Sequence, residues 1–252
     1  ILKKNPKLAC VVGLTTEPRR LVDIRRNRMN ALKETETTTY TDYEKIVREV
    51  KEAKELFKKL IKRYKHIILV TDPKKLTFNY IHQVNPKYIF FPDWSWIIPS
   101  NIVNNYKCVC IHESNLPKFR GGSPIQNQII NGIEKTKSTA FLMTEDLDKG
   151  DILLQRDLSL KGSLNEIFDR IIKNDYELIV QIIAGKYKLK KQKGKPTLYK
   201  RRKPEQSELK NLNYSKKYLF NFIRMLADPY PNAFIMIGRK KMKFKSANLK
   251  GN

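Results

Sequence analysis

The stretch that decides the fold runs Cys108-Val109-Cys110-Ile111-His112-Glu113-Ser114-Asn115-Leu116-Pro117-Lys118-Phe119-Arg120-Gly121-Gly122-Ser123-Pro124. Its first five residues are a short apolar run closed by a histidine, which reads as a buried strand. The residues after it form a Pro/Gly-rich loop too marked to be a mere connection, and helical spacing resumes over 126–132. In an open α/β sheet, ligand crevices form where strands end and pass into such loops. His112 is therefore the histidine to weigh. Of the other two, His66 comes after a run of bases and His82 lies near a helix end beside Asn85-Pro86, so both read as surface residues.

Outward from this stretch, strand and helix patterns alternate. Short apolar runs predict strands over 8–14, 66–71, 87–92, 138–144 and 151–158. Helical spacing predicts helices over 19–29, 42–64 (capped by Asp42), 76–83, 101–105 and 214–226. Ser163-Leu164-Asn165-Glu166 is a capping box opening a helix to about residue 184, and 232–245 reads as a hairpin turning at Gly238-Arg239. Alternation of this kind implies an α/β fold: a Rossmann-like open, mostly parallel sheet, ordered through Ile89, Val109 and Leu142, with a short C-terminal appendage. The expected division is 1–66 as an N-terminal segment of uncertain origin, 67–209 as the catalytic domain, and 210–252 as a helix and hairpin. Residues 8–14 and 42–64 are candidates for the first β-α unit of the sheet.

A second unusual stretch, Glu145-Asp146-Leu147-Asp148-Lys149-Gly150-Asp151, lies between two strands. It lacks the twelve-residue spacing of a calcium loop, so it reads as a solvated acidic turn and no metal is expected. If it faces His112 across the crevice, Asp148 orients the imidazole and keeps it protonated. A His–carboxylate pair suits acyl transfer, in which an oxyanion is stabilised while an amine loses a proton.

Composition narrows the class. Across 252 residues, 40% hydrophobic content with 12 Tyr, 11 Phe and 2 Trp is enough for a real core. No apolar run approaches the roughly 18 residues of a membrane span, and three cysteines without CxxC spacing suggest reduced, cytoplasmic thiols. The chain opens on Ile1, which reads as a fragment of something longer, and it shows no signal peptide. The 51 Lys+Arg against 25 Asp+Glu give a net charge of +26. A nucleic-acid or anionic-membrane partner and a Lys-rich solvated surface both explain that charge, and the solvated surface is preferred because the bases are spread along the chain. The stretch 178–204 is denser and free of acids, which also suits a diphosphate-bearing or polyglutamylated substrate.

Residues 75–247 resemble the folate-dependent formyltransferase family. The likeness is carried by Ile111-His112, Ser114, Leu116-Pro117-Lys118-Phe119-Arg120-Gly121, Ser123-Pro124-Ile125, Asn131-Gly132 and Leu147-Asp148-Lys149-Gly150-Asp151-Ile152-Leu153. The resemblance implies catalytic roles for His112 and Asp148, and 10-formyltetrahydrofolate as formyl donor without a metal. It implies a pterin pocket from Trp96, Ile97, Ile98, Leu116, Pro117 and Asp146, and acceptor contacts from Ser114, Lys118, Arg120, Gly121 and Tyr230. Tyr230 is suited to stack on a sugar or base or simply to pack a turn. Where the family usually places an oxyanion-binding Asn, this chain has Cys110, and a thiol is a poor donor.

The short tail resembles sugar-nucleotide N-formyltransferases, which implies a nucleotide-linked amino sugar as acceptor; nucleic acid is not favoured, no membrane partner is expected, and a homodimer stays open. A methionyl-tRNA formyltransferase-like protein and a non-catalytic nucleic-acid-binding or scaffold protein on the same fold are the alternatives. Residues 8–65, through Val12-Gly13-Leu14-Thr15, Pro18-Arg19 and Arg28, resemble instead the C-terminal region of the pyruvate phosphate dikinase and phosphoenolpyruvate synthase regulatory protein. That raises a third alternative, a remnant of such a regulator. No GxxxxGK[ST] phosphate loop exists to run its phosphoryl chemistry.

Overall fold

The computed structural model describes residues 54–70, 73–92, 97–228 and 230–249; the expected elements over 1–53 lie outside them. In chain order the strands are β1 (Ile89–Pro92), β2 (Cys108–His112), β3 (Arg120–Gly121), β4 (Lys135–Leu142), β5 (Ile152–Ser159), β6 (Leu198–Tyr199), β7 (Ala233–Ile237) and β8 (Lys240–Phe244). The helices are α1 (Phe78–Val84), α2 (Ser100–Asn105), α3 (Pro124–Ile130), α4 (Leu164–Ile183) and α5 (Lys216–Met225), with a further helical stretch over 54–61.

The main sheet has the order β1-β2-β4-β5. β1 and β2 are parallel, with Phe90 opposite Val109, and every residue of both is buried, as two-sided covering requires. The α/β fold expected from the sequence holds, but its parallel order stops there. β4 runs antiparallel to β2, with Leu142 opposite Val109 and Thr139 opposite His112, and β5 runs antiparallel to β4. The reason lies in the connection: the loop and α3 never carry the chain back to the start of β2, so β4 begins beside the end of that strand.

Alternation along the strands assigns the faces. Phe90, Val109, Ile111 and Ala140 pack on Leu178, Ile179 and Ile182 of α4 and on Leu56 and Leu60. Ile89, Phe91, Cys108, Cys110 and Phe141 pack on Ile81 of α1 and Ile102 of α2. Residues 67–70, expected within a strand, form none: Ile67 and Leu69 pack on the first cluster and Ile68 and Val70 in the second, so burial rather than pairing explains their alternation.

α4 starts where the capping box predicts. Ser163 Oγ accepts the Glu166 N–H at 3.3 Å, and Glu166 Oε2 accepts the Ser163 N–H at 2.7 Å; such a cap stabilises a helix by about 1 kcal/mol. The appendage is fastened by Arg224 of α5, whose Nη1 donates to the carbonyls of Leu160 (2.7 Å) and Gly162 (3.0 Å). The hairpin β7–β8 turns at Gly238 (φ +58°), as its sequence predicts. Among the described residues, no helix is long and apolar enough to cross a membrane, and no cluster of three or more His, Cys, Asp or Glu is placed to hold a metal ion.

Candidate active site

β2 delivers Cys110 and His112 on one face at the carboxyl end of the sheet. His112 is 7% exposed, and its Nε2 lies 2.8 Å from the Phe119 carbonyl oxygen. A carbonyl only accepts, so Nε2 carries the hydrogen and Nδ1 is left without a protein partner among the described residues. The loop beyond is tied by its own backbone. Ser114 Oγ donates to the Lys118 carbonyl (2.7 Å), Thr139 Oγ1 to the Ser114 carbonyl (2.6 Å), and Gln128 Nε2 to the Glu113 carbonyl (2.6 Å). Burial of Cys108, two residues back from Cys110, pushes its thiol up to about 12, so it stays a neutral packing group.

The loop then docks on the basic segment after α4. β3 pairs with β6 in parallel, the Phe119 ring stacks on Tyr199 with centroids 5.0 Å apart, and Phe119 N–H donates to Thr197 Oγ1 at 2.7 Å. Gly121 has φ +90°, and a Cβ there would stand 2.3 Å from the Tyr199 carbonyl oxygen. The close approach that the Gly-Gly pair permits is therefore to the backbone of β6.

From the other side comes the turn between β4 and β5. Asp148 adopts φ +53°, and its Oδ2 accepts the Gly121 N–H at 2.8 Å. The expected direct contact from Asp148 to the imidazole is thus replaced by two separate bonds, His112 to the Phe119 carbonyl and Asp148 to the Gly121 amide. Both anchors belong to the same loop, which holds the two side chains in fixed relation. Gly150 is required where it stands, because a Cβ there would lie 1.5 Å from the Leu142 carbonyl oxygen.

These elements surround a cavity of about 910 Å³. Of the residues singled out from the sequence, Cys110, His112, Asp148, Gly121, Ile97, Ile98, Asp146 and Tyr230 line it, whereas Trp96 lies outside the described residues. Five others stand off the cavity wall. Leu116 is core-packed and Pro117 comes after it through a cis peptide; Ser114 is turned to Lys118, Lys118 is exposed, and Arg120 donates to Gln192. The lining also includes Val103, Met143, Glu113, Gln126, Lys200 and Arg201, which sequence reasoning did not single out. The last two were visible only as charge in the basic block, since nothing in a charge run says which base faces a pocket.

A parallel-to-antiparallel sheet with His and Asp held by one loop at the strand ends defines the class: an open α/β fold with a ligand-sized cavity at the carboxyl ends of its parallel strands. The chain belongs to the Formyl transferase family, which it matches over residues 9–183. Residues 204–252 match the family described as Methionyl-tRNA formyltransferase, C-terminal domain. The methionyl-tRNA formyltransferase of Clostridium acetobutylicum is 30% identical over 198 residues, 73% of this chain and 64% of that one. The chain thus spans less than two thirds of that relative's length. The solved methionyl-tRNA formyltransferase from Clostridium thermocellum superposes with a TM-score of 0.75 at 33% identity, covering 96% of this chain and 94% of that chain. A sugar N-formyltransferase from Shewanella shares the fold (TM-score 0.61, 18% identity, 97% and 99% covered). A protein of Pelagibacter ubique, described as a pyruvate, phosphate dikinase regulatory protein, is 72% identical over 58 residues, 23% of this chain and 21% of that one.

Proposed function

We propose that the protein transfers a formyl group from 10-formyltetrahydrofolate to the amine of a nucleotide-linked amino sugar. The observation that carries this reading is the composition of one cavity, lined by His112 and Asp148 together with apolar side chains and the bases Lys200 and Arg201. Ile97, Ile98, Val103 and Met143 suit the flat face of a pterin, with Asp146 beside them as a polar partner. Lys200 and Arg201 suit a diphosphate, and the Tyr230 ring, 6.3 Å from that of Phe168, suits a sugar or base. The folate donor supplies the activated formyl group. With both ring nitrogens protonated, His112 keeps Nε2 on the Phe119 carbonyl and donates through Nδ1 to the formyl oxygen as the amine adds. The Asp148 carboxylate accepts the proton the amine gives up, the bond from the formyl carbon to the folate nitrogen breaks, and tetrahydrofolate leaves carrying that proton. Cys110 stands where a stronger donor would help hold that oxygen, so it limits the rate.

Methionyl-tRNA is the second reading, favoured by the identity to methionyl-tRNA formyltransferases, the match over 204–252 and the charge of +26. Incubating the purified chain with 10-formyltetrahydrofolate and either acceptor, while monitoring tetrahydrofolate release and formyl incorporation, separates the two. Turnover with amino-sugar nucleotides is expected. Turnover with methionyl-tRNA alone replaces the first reading by the second, and steeply salt-dependent nucleic-acid binding without turnover removes both.

A further inference from the structure

One side chain behind the cavity is engaged at every hydrogen-bonding position it has. Gln192 lies in the basic segment after α4 and does not line the cavity. Its Nε2 donates to the Asp148 carbonyl (2.8 Å) and to the Gly150 carbonyl (2.9 Å). Its Oε1 accepts from Arg120 Nη2 (2.7 Å) and Arg120 Nε (3.3 Å). A glutamine amide offers two donors and two acceptor lone pairs, so all four are in use. Glutamate would lack both donors, and methionine would lack everything but the shape.

The places these bonds reach give the arrangement its meaning. The bond that aims the Asp148 carboxylate runs from the Gly121 N–H to Oδ2 at 2.8 Å. Gln192 grips one end of that bond through the Asp148 carbonyl, and the other through Arg120, the residue preceding Gly121. Asp148 also sits at φ +53°, a backbone state that a non-glycine residue holds only when its surroundings fix it. We infer that Gln192 is a positioning residue for formyl transfer: it clamps the Asp148 turn to the β3 edge of the catalytic loop and so sets where the carboxylate meets the amine. The inference rests on the proton-accepting role proposed for Asp148.

The test compares Gln192→Met, Gln192→Glu, Asp148→Ala and the double variant Gln192→Met/Asp148→Ala. Turnover is measured with 10-formyltetrahydrofolate and whichever of an amino-sugar nucleotide or methionyl-tRNA serves as acceptor. Displacing a catalytic group by about an ångström costs up to about 10²-fold, so Gln192→Met is expected to lower kcat by about 10- to 10²-fold. KM for both substrates should stay within about twofold, because no cavity contact is lost. Gln192→Glu keeps the Arg120 side and loses the carbonyl donors; it carries the same expectation and serves if Gln192→Met does not fold. In the Asp148→Ala background, Gln192→Met should cause no further loss, whereas a merely structural role would multiply the two. Wild-type kcat in both Gln192 variants, with Asp148→Ala impaired, overturns the positioning role alone, as do losses that multiply. Full turnover in Asp148→Ala overturns the role given to Asp148, and the positioning role falls with it.

Discussion

The two loops that meet at the cavity and the hairpin β7–β8 are built under opposite rules. In the loops, backbone geometry dictates the residue. Gly150 and Gly121 stand where a Cβ would strike a carbonyl oxygen at 1.5 and 2.3 Å, and Phe119, Ser123 and Asp148 all hold positive φ. In the hairpin, the ladder from Ala233–Phe244 to Ile237–Lys240 is regular, and Met236, Ile237 and Met242 are 41%, 61% and 43% exposed. Close backbone approach fixes identity, while a regular exposed ladder fixes only a pattern. The first kind of region is legible as a motif and the second only as an alternation.

The sharpest way to break that contrast is at the two side chains proposed to act in transfer. His112→Ala and Asp148→Ala should each lower the single-turnover rate by about 10³-fold, within the range expected for positioned acid–base groups. Rates within about tenfold of wild type would show that the loops are built around something other than transfer. Next comes Gly150→Ala, which forces a methyl group against the Leu142 carbonyl. It should cost about 3 kcal/mol in urea denaturation, and an unchanged midpoint would mean that the turn yields easily.

Cys110→Asn ranks third in size. It adds a side-chain donor on the strand face shared with His112, and turnover should rise by up to about 10²-fold. A flat rate beside a dead His112→Ala would assign the oxyanion to a different partner. The smallest effect belongs to the hairpin: Ile237→Lys should change stability by no more than about 0.5 kcal/mol. A larger loss on thermal melting would reveal that its exposed face is covered in solution.

Much of this was legible in the sequence, for reasons that differ from element to element. β2 appears with the predicted bounds, because four apolar residues followed by a histidine and a Pro/Gly loop admit few alternatives. The α4 cap and the β7–β8 turn were equally plain, since Ser163-x-x-Glu166 and Gly238 carry their geometry with them. The direction of β4 was not, because strand patterns are the same for either direction and only the path of the connection decides. His112 and Asp148 reach the same cavity, but their anchors, Phe119 and Gly121, could not be read: they act through backbone groups, and a sequence distinguishes only side chains. Gln192 escaped for a related reason, lying among lysines with nothing in its surroundings to mark it.

The pairing of β3 with β6 has a consequence for how such a protein changes over time. The grip is largely written in main-chain amides: Arg120 N–H to the Thr197 carbonyl at 2.9 Å, Gly122 N–H to the Tyr199 carbonyl at 2.8 Å, and Thr197 N–H to the Pro117 carbonyl at 3.2 Å. Lys200 and Arg201 ride on that rim while contributing none of those bonds. Their side chains can therefore be exchanged without unfastening the loop that anchors His112 and Asp148. If these two bases meet the acceptor as proposed, acceptor preference and transfer chemistry are separable, and a lineage can drift from one anionic acceptor to another by editing a few residues of a single rim.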